Sequence, residues 1–160
     1  MRGMKERNKA IPASYLFLEK DGMFLLARRF NTGYQDGNYQ LPAGHVEESE
    51  LPSEALIRET KEEIGIDIAS EDAVLAHVSY RPKHDATGDR VDFFFRVRKW
   101  SGEIENREPH KCDDLRWVTF DTVPINLAPA NRAAIECIRK GIFYQELGTD
   151  FLKANGLWKL

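Results

Sequence analysis

The chain has 160 residues, of which 42% are hydrophobic and 31% charged, and its formal net charge is −3. This balance excludes a disordered chain and argues against binding to a nucleic acid polymer or an anionic membrane, because both attract cationic proteins. No apolar run reaches the roughly 20 residues that span a bilayer. The length predicts one domain over residues 1–160, with a core over about residues 10–145 and a tail at 146–160.

Two features of the sequence predict a cytoplasmic location. The N-terminal segment MRGMKERNKAIPA is basic but lacks the apolar stretch of a secretory signal peptide. Cys112 and Cys137 match no metal-ligand spacing, so we expect free thiols in a reducing compartment. The sequence leaves the oligomeric state open between monomer and homodimer.

The first half of the chain predicts a hairpin, a loop, a short strand and a helix. Two apolar runs in SYLFLEKDGMFLLARR meet at an Asp-Gly pair, which is typical of a hairpin turn. Glycine and asparagine recur across residues 30–38 and indicate a loop, after which YQLPA predicts a short strand. Helical spacing then runs from Pro52 to Ile64, and Gly65 is placed to end that helix in a left-handed conformation.

The second half predicts three strands and a helix. Residues 73–81 and 91–98 indicate strands joined by the polar turn PKHDATGD, and DLRWVTF indicates another. The segment PANRAAIECIRKGIFY predicts an amphipathic helix beginning near Pro129, and the tail predicts a short helix. Because strands outnumber helices and the helices are separated in sequence, the expected class is α/β (α+β) with a mixed sheet.

Three glutamates share one face of the first predicted helix. At about 100° per residue, Glu59, Glu62 and Glu63 fall within an arc of roughly 100° opposite the apolar stripe that contains Ile57 and Ile64. Carboxylates three and four residues apart repel one another unless something neutralises them. A hard divalent cation with oxygen ligands would do so. The alternative interpretation is an ordinary solvated acidic face.

The residues before this helix favour the metal interpretation. Gly44 lies in a loop where a backbone without a side chain can approach a metal or phosphate closely, and Glu50 is placed to pair with Arg58. The pattern of Gly44, five residues, Glu50, seven residues and RETKEEIGI resembles the Nudix box of the Nudix hydrolases. Thr60 departs from the aliphatic residue usual there, and Leu51 is a poor N-cap. Neither departure touches a metal-binding position.

This resemblance implies a fold, a reaction and a set of ligands. Nudix hydrolases cleave a nucleoside diphosphate linked to another moiety, usually with Mg²⁺, on an α/β/α sandwich with a mixed sheet. Here the cofactor would be Mg²⁺, with Mn²⁺ as the alternative. Glu50 and Arg58 would form a supporting ion pair. The implied metal ligands are Glu59, Glu62, Glu63 and the backbone carbonyl of Gly44.

Many members of the family add a carboxylate from a later loop, which here is ENREPHKCDDLRW. We expect Glu108 to be this further metal ligand, and the alternatives are Glu105, Asp113, Asp114 or a merely solvated loop. Either Glu62 or a glutamate of this loop would act as general base towards the attacking water.

Candidate substrate contacts lie at the end of the hairpin, in several loops and in the strand predicted over residues 91–98. Alternation along a strand sends only one of Arg28 and Arg29 towards a given face, and we assign Arg28 to substrate. Phe30 and Tyr34 are candidates for lining a nucleotide pocket. Asp92 would hydrogen-bond a base edge or simply flank its strand. His45 and His110 are candidate phosphate contacts or exposed loop residues.

The segment APANRAAIECI resembles the part of MutT-type enzymes where an asparagine at a helix start reads a purine. This implies that Asn131 contacts a base, and the alternative is an exposed residue at an ordinary helix start. The resulting hypothesis is hydrolysis of a nucleoside triphosphate, with a purine or oxidised purine such as 8-oxo-dGTP, to monophosphate and pyrophosphate. ADP-ribose hydrolysis, dinucleoside polyphosphate hydrolysis and a non-catalytic nucleotide-binding module are the alternatives. The sequence does not determine the base or the sugar.

Overall fold

A computed structural model describes residues 5–160 of the chain. The strands are β1 (Ala10–Lys20), β2 (Met23–Arg29), β3 (Tyr39–Gln40), β4 (Ala43–His45), β5 (Val74–Arg81), β6 (Asp89–Val97), β7 (Cys112–Val118) and β8 (Tyr144–Glu146). The helices are α1 (Pro52–Ile64), α2 (Pro129–Lys140) and α3 (Thr149–Ala154), with a 3₁₀ turn at Ser70–Asp72. Within residues 5–160, none of these helices has the length and apolar character needed to cross a bilayer.

The strands form one mixed sheet that begins with the predicted hairpin. β1 and β2 are antiparallel, and Asp21 and Gly22 turn between them with φ values of 52° and 74°. Positive φ at both central residues is what an Asp-Gly turn favours, because its twist matches that of the strands. The order is β3-β2-β1-β6-β5-β8, and β4 also pairs with β1 while β7 also pairs with β2. Because β1–β6 and β5–β8 are parallel pairs, the predicted mixed sheet is confirmed.

The two faces of the sheet carry separate hydrophobic cores. On β1, Phe17 packs on one face with Ile135 of α2, while Leu16 and Leu18 pack on the other face with Leu56 of α1. Successive side chains of a strand point to opposite faces, so α1 and α2 cover opposite sides of the sheet. The predicted α/β/α sandwich is therefore confirmed.

Helix α1 begins and ends at the predicted residues. Pro52 occupies the first turn, where its missing N–H is not needed. Leu51 contributes no side-chain cap, as expected, and its N–H donates instead to Glu54 Oε2 at 3.0 Å. Gly65 ends the helix with φ 79°, and its N–H donates to the Thr60 and Lys61 carbonyls at 3.2 Å. These terminal contacts determine where the acidic face of the helix starts and stops.

Other predicted bounds need correction. Helix α2 ends at Lys140 because Gly141 adopts φ 70°, whereas the sequence predicts helix as far as Tyr144. Tyr144 instead begins β8, which pairs in parallel with β5. The YQLPA strand divides into β3 and β4, because β3 pairs with β2 while β4 pairs with β1. The short helix predicted in the tail is present as α3.

Both cysteines are free thiols, as the sequence predicts. Cys112 is half-buried in β7, and Cys137 is buried in α2. Burial raises the pKa of each thiol above its ordinary value. Neither thiol therefore has the exposed, low-pKa environment of a reactive cysteine.

Candidate active site

A cleft of about 510 Å³ opens where the acidic face of α1 meets β2, β4 and the loop before β7. It brings together five of the residues that the sequence predicts for the site. Those five residues are Arg28, Gly44, Glu59, Glu63 and Glu108. We call this space the acidic cleft.

Glu59 packs directly against the backbone of β4. A Cβ atom placed on Gly44 would lie 2.0 Å from Glu59 Cδ and 2.5 Å from its Oε1, so a side chain there would displace the Glu59 carboxylate. The Glu59 carboxylate also accepts a hydrogen bond from Arg58 Nη1 at 2.7 Å. Because Gly44 has no side chain, the Glu59 carboxylate can lie directly against the backbone of β4.

Glu63 lies one helical turn after Glu59, and its surroundings disfavour the charged form of its carboxylate. Burial raises its pKa well above the ordinary value, and the charges of Glu59 and Glu108 raise it further. The Lys111 ammonium opposes this rise but does not cancel it. A carboxylate in such surroundings is destabilised as an anion unless positive charge is supplied.

The donor set matches the preference of a hard divalent cation. The side chains of Glu59, Glu63 and Glu108, together with the Gly44 carbonyl, offer only oxygen, which Mg²⁺ and Mn²⁺ favour. Within residues 5–160, no group of three or more His, Cys, Asp or Glu side chains is already arranged so that it could hold a metal ion. Arg58 Nη1 already donates to Glu59 Oε1, so a metal ion would compete with the guanidinium for that oxygen.

The predicted pair of Glu50 and Arg58 is present in the structure. Arg58 donates from Nε to Glu50 Oε1 at 2.7 Å and from Nη2 to Glu50 Oε2 at 3.0 Å. Arg58 Nη2 also donates to the His45 carbonyl at 3.1 Å. The guanidinium lowers the pKa of Glu50 to about 2. Arg58 thus ties β4 and the loop before α1 to the helix, and its part in activity remains a prediction.

Glu62 differs from the other two glutamates of the helix. Its side chain is 54% exposed and does not line the acidic cleft. Its Oε2 lies 3.7 Å from Arg58 Nη1. The helical arc drawn from sequence is thus too coarse to separate Glu62 from Glu63, because only contacts with β4 and the later loop distinguish them.

The later loop is joined by its backbone to the end of α1. The N–H groups of Glu105 and Arg107 donate to the carbonyls of Ile64 and Glu63, at 3.0 and 2.9 Å. Glu108 then lines the cleft, and its carbonyl accepts from the backbone N–H groups of Lys111 and Cys112, at 2.8 and 2.9 Å. The loop therefore follows the last turn of the helix.

The alternatives to Glu108 are directed elsewhere. Glu105 is 71% exposed and lies 3.7 Å from Arg107. Asp113 accepts two hydrogen bonds from Arg28, at 2.7 and 3.1 Å. Asp114 accepts a hydrogen bond from the Tyr39 hydroxyl. Of the four carboxylates considered from sequence, Glu108 is the one that lines the cleft.

Both arginines at the end of β2 line the acidic cleft, which corrects the alternation expected from sequence. The pairing of β2 with β7 shifts register between Arg28 and Arg29, so the strand is irregular at this step. A bulge of this kind redirects a side chain that alternation would send to the other face. Arg29 also donates to the Tyr34 carbonyl at 2.5 Å and to Thr32 Oγ1 at 2.8 Å, which holds the 30–38 loop.

A second cavity of about 360 Å³ adjoins the acidic cleft. The two spaces share a wall that consists of Arg29, Gln40, Ala43, Gly44 and His45. Asn131 lines this second cavity and is only 4% exposed, so the alternative of an exposed helix-start residue is not what the structure shows. Tyr34 also lines it, from the 30–38 loop.

Two predicted substrate contacts, and one of the histidines, lie outside both spaces. Asp92 is buried and accepts from Arg81 Nε at 3.0 Å, and Arg81 Nη2 lies 2.8 Å from the same oxygen. Phe30 is 46% exposed at the start of its loop, and neither it nor His110 lines the cleft or the second cavity. Arg81 does line the second cavity, and no motif in the sequence singles it out.

Comparison with known proteins agrees with the geometry. The family description "NUDIX domain" matches residues 9–139. A CTP pyrophosphohydrolase of Escherichia coli K12 is 36% identical over 130 residues, which cover 80% of this chain and 90% of that protein. An 8-oxo-dGTP diphosphatase of Proteus vulgaris is 29% identical over 106 residues, covering 66% of this chain and 90% of that protein.

A solved structure supports the same assignment. The crystal structure of a MutT NUDIX hydrolase from Burkholderia pseudomallei superposes with a TM-score of 0.73 and 28% sequence identity. The match covers 81% of this chain and 98% of that one. The chain belongs to the Nudix hydrolase family, and it is an enzyme. Nudix hydrolases generally use divalent metal ions.

Proposed function

We propose that this enzyme hydrolyses a nucleoside triphosphate to a nucleoside monophosphate and pyrophosphate, with Mg²⁺ as cofactor. The observation that carries the proposal is the convergence of Glu59, Glu63 and Glu108 on one cleft that adjoins a second cavity of nucleoside size. The relatives described above are named for two triphosphates, 8-oxo-dGTP and CTP, which supports this substrate class.

The acidic cleft would bind the phosphates only together with cations. Its glutamates would otherwise repel an anionic triphosphate. Burial and neighbouring carboxylates already raise the pKa of Glu63, so its charged form is itself disfavoured. Glu59, Glu63 and the Gly44 carbonyl would hold Mg²⁺. When bound, Mg²⁺ would neutralise phosphate charge and lower the pKa of the attacking water.

The remaining charged residues have distinct tasks in this proposal. Arg28 and Arg29 line the cleft, and the N–H groups that Asp113, Tyr34, Gln40 and Thr32 leave free would donate to phosphate oxygens. Arg58 would orient Glu59 through the 2.7 Å hydrogen bond and hold Glu50 through a second one of 2.7 Å. Of the two candidates for general base, Glu108 lines the cleft and Glu62 does not. We therefore assign Glu108 as the general base that accepts a proton from the attacking water.

The test is a screen of substrates and products with and without Mg²⁺. Nucleoside triphosphates, including 8-oxo forms, are compared with ADP-ribose and dinucleoside polyphosphates, and both phosphate and pyrophosphate release are measured. We expect monophosphate and pyrophosphate in equal amounts from a triphosphate, with activity lost in a chelator and restored by Mg²⁺. Release of phosphate alone, or turnover confined to ADP-ribose, would overturn the proposal.

A further inference from the structure

The loop of residues 82–88, between β5 and β6, forms one wall of the second cavity. Asp85 and Thr87 of this loop line the cavity together with Arg90, the second residue of β6. Thr87 donates to Asp85 through both its N–H and its hydroxyl, and Arg90 Nη2 donates to Thr87 Oγ1 at 2.7 Å. These bonds join the three lining side chains, so a shift of the 82–88 loop would move this wall.

The start of the 82–88 loop is bonded to the N-terminal segment through one carboxylate. Asp89 Oδ1 accepts from the backbone N–H of Lys83 at 2.6 Å. Asp89 Oδ2 accepts from the Tyr80 hydroxyl at 2.6 Å and from Asn8 Nδ2 at 2.5 Å. Asp89 thus holds together the loop, the end of β5 and Asn8.

The middle of the 82–88 loop is bonded to the C-terminal tail. The backbone N–H of Lys159 donates to the His84 carbonyl at 2.6 Å. His84 is only 1% exposed, and its Nε2 lies 3.9 Å from Asp85 Oδ2. The contact with the tail is therefore made one residue before a side chain that lines the second cavity.

The tail has anchors of its own before Lys159. The N–H of Leu147 donates to the Tyr80 carbonyl, and the N–H of Leu157 donates to the Leu152 carbonyl, both at 2.9 Å. The side chains of Leu152 and Leu157 are buried. Segments with buried apolar contacts and backbone hydrogen bonds open less readily than segments without them. The tail can therefore restrain the loop.

Both terminal contacts come from outside the part of the chain that matches the family. That match covers residues 9–139, which include the 82–88 loop. Asn8 precedes the match and Lys159 follows it. The loop thus belongs to the matched domain, while two of the groups that hold it do not.

We propose that the two terminal segments clamp the 82–88 loop and that this clamp sets how tightly the second cavity binds the nucleoside part of the substrate. The proposal rests on the proposed function, in which that cavity receives the nucleoside. Asn8 and Lys159 are positioning residues, because they contact the loop and line neither space. Substrate affinity therefore depends on the clamp, while the hydrolytic step in the acidic cleft does not.

The variant Lys159→Pro tests the C-terminal contact. Proline has no backbone N–H, so this variant loses the bond to His84 and keeps the rest of the tail. Lys159→Ala is the matched control, because it removes the side chain and keeps the N–H. We expect KM for the best substrate among ATP, GTP, CTP and UTP to rise by at least about threefold in Lys159→Pro, with kcat unchanged, as for the loss of one hydrogen bond. Lys159→Ala should match the parent.

The variant Asn8→Ala tests the N-terminal contact in an exposed position that does not endanger folding. We expect a smaller rise in KM, because Asp89 keeps its bonds to Tyr80 and Lys83. A merely structural role would lower Tm and leave KM at 25 °C as in the parent. An unchanged KM in Lys159→Pro, or an equal rise in Lys159→Ala, would overturn the C-terminal contact. An unchanged KM in Asn8→Ala would overturn the N-terminal one.

The outcome separates this inference from the proposed function. If a triphosphate is hydrolysed with Mg²⁺ but the variants keep the parent KM, the clamp is wrong and the proposed function stands. If no triphosphate is hydrolysed, the proposed function fails, and calorimetric titration with AMP, GMP, CMP and UMP decides the clamp without turnover. Weaker binding by Lys159→Pro than by Lys159→Ala supports it. Equal binding by the two variants, or no binding by the parent, overturns it.

Discussion

The acidic cleft and the second cavity adjoin, yet the chain builds them in different ways. Glu59 and Glu63 of the cleft lie one turn apart on a single helix, and Gly44 and Glu108 reach them from segments bound directly to that helix. In the second cavity, Asn131 of α2 and Arg81 of β5 line the same space although they are distant in the sequence. A motif of fixed spacing can therefore describe the first space but not the second. The acidic cleft is thus encoded locally in the chain, while the second cavity depends on long-range packing.

The strongest test of this contrast compares two neighbouring glutamates of the helix. We expect Glu63→Gln to lower kcat/KM by at least about 100-fold, because it removes a proposed metal-binding carboxylate from the cleft. Glu62→Gln should cost about tenfold or less, since Glu62 is mostly exposed and lies outside the cleft. Steady-state kinetics with Mg²⁺, with circular dichroism to check folding, measure both. Equal losses would show that the helical face acts as a whole.

A smaller effect is expected from Gly44→Ala. The added Cβ would displace the Glu59 carboxylate, whose nearest atom would be 2.0 Å away, while the flexible end of that side chain can move. We expect kcat/KM to fall by roughly 10- to 100-fold, as for displacements of about 1 Å in a site, with little change in Tm. Gly148→Ala is the matched control, because nothing lies within 4 Å of its added Cβ. A stable, fully active Gly44→Ala enzyme would contradict the close packing of Glu59 in the working site.

The smallest effect concerns stability and pH at Glu50. Arg58 lowers the pKa of Glu50 to about 2 in the folded protein, below its ordinary value of 4.5. The stability that this carboxylate contributes is therefore complete above pH 4.5 and is lost as the pH falls towards 2. Glu50→Gln should unfold at lower urea concentration at pH 7, and the gap to the parent should narrow below pH 4.5.

Its control is Glu48→Gln in the same loop, whose side chain is exposed. This substitution should change the urea midpoint less than Glu50→Gln at pH 7. A gap for Glu50→Gln that stays constant from pH 7 to pH 3 would contradict the linkage to the Arg58 pair.

The sequence predicts those features that depend on neighbours in the chain. The hairpin turn, the bounds of α1 and the pairing of Glu50 with Arg58 all follow from spacing and turn chemistry. Features that depend on a distant strand are missed. The register shift that turns Arg29 into the cleft arises from pairing with β7, and β8 is a strand only because β5 lies beside it. Three residues carry too little pattern to reveal such a strand.

The candidate site follows the same division. Gly44, Glu59 and Glu63 are identified by the motif, and the structure explains the glycine by the space that Glu59 fills. The burial of Asp92 behind Arg81 could not be read from alternation, which gives the face of a strand but not what covers it. Choosing Glu108 among four acidic residues likewise required the path of the loop.

The backbone contacts between this loop and α1 also restrict how the chain can change in length. Because Glu105 and Arg107 are bonded to the carbonyls of Ile64 and Glu63, the residues up to Glu108 act as a spacer of fixed length. One extra residue inserted there would shift the following carboxylate by roughly 3.5 Å along the chain. Insertions in this segment would therefore separate Glu108 from Glu63 even if every side chain were retained.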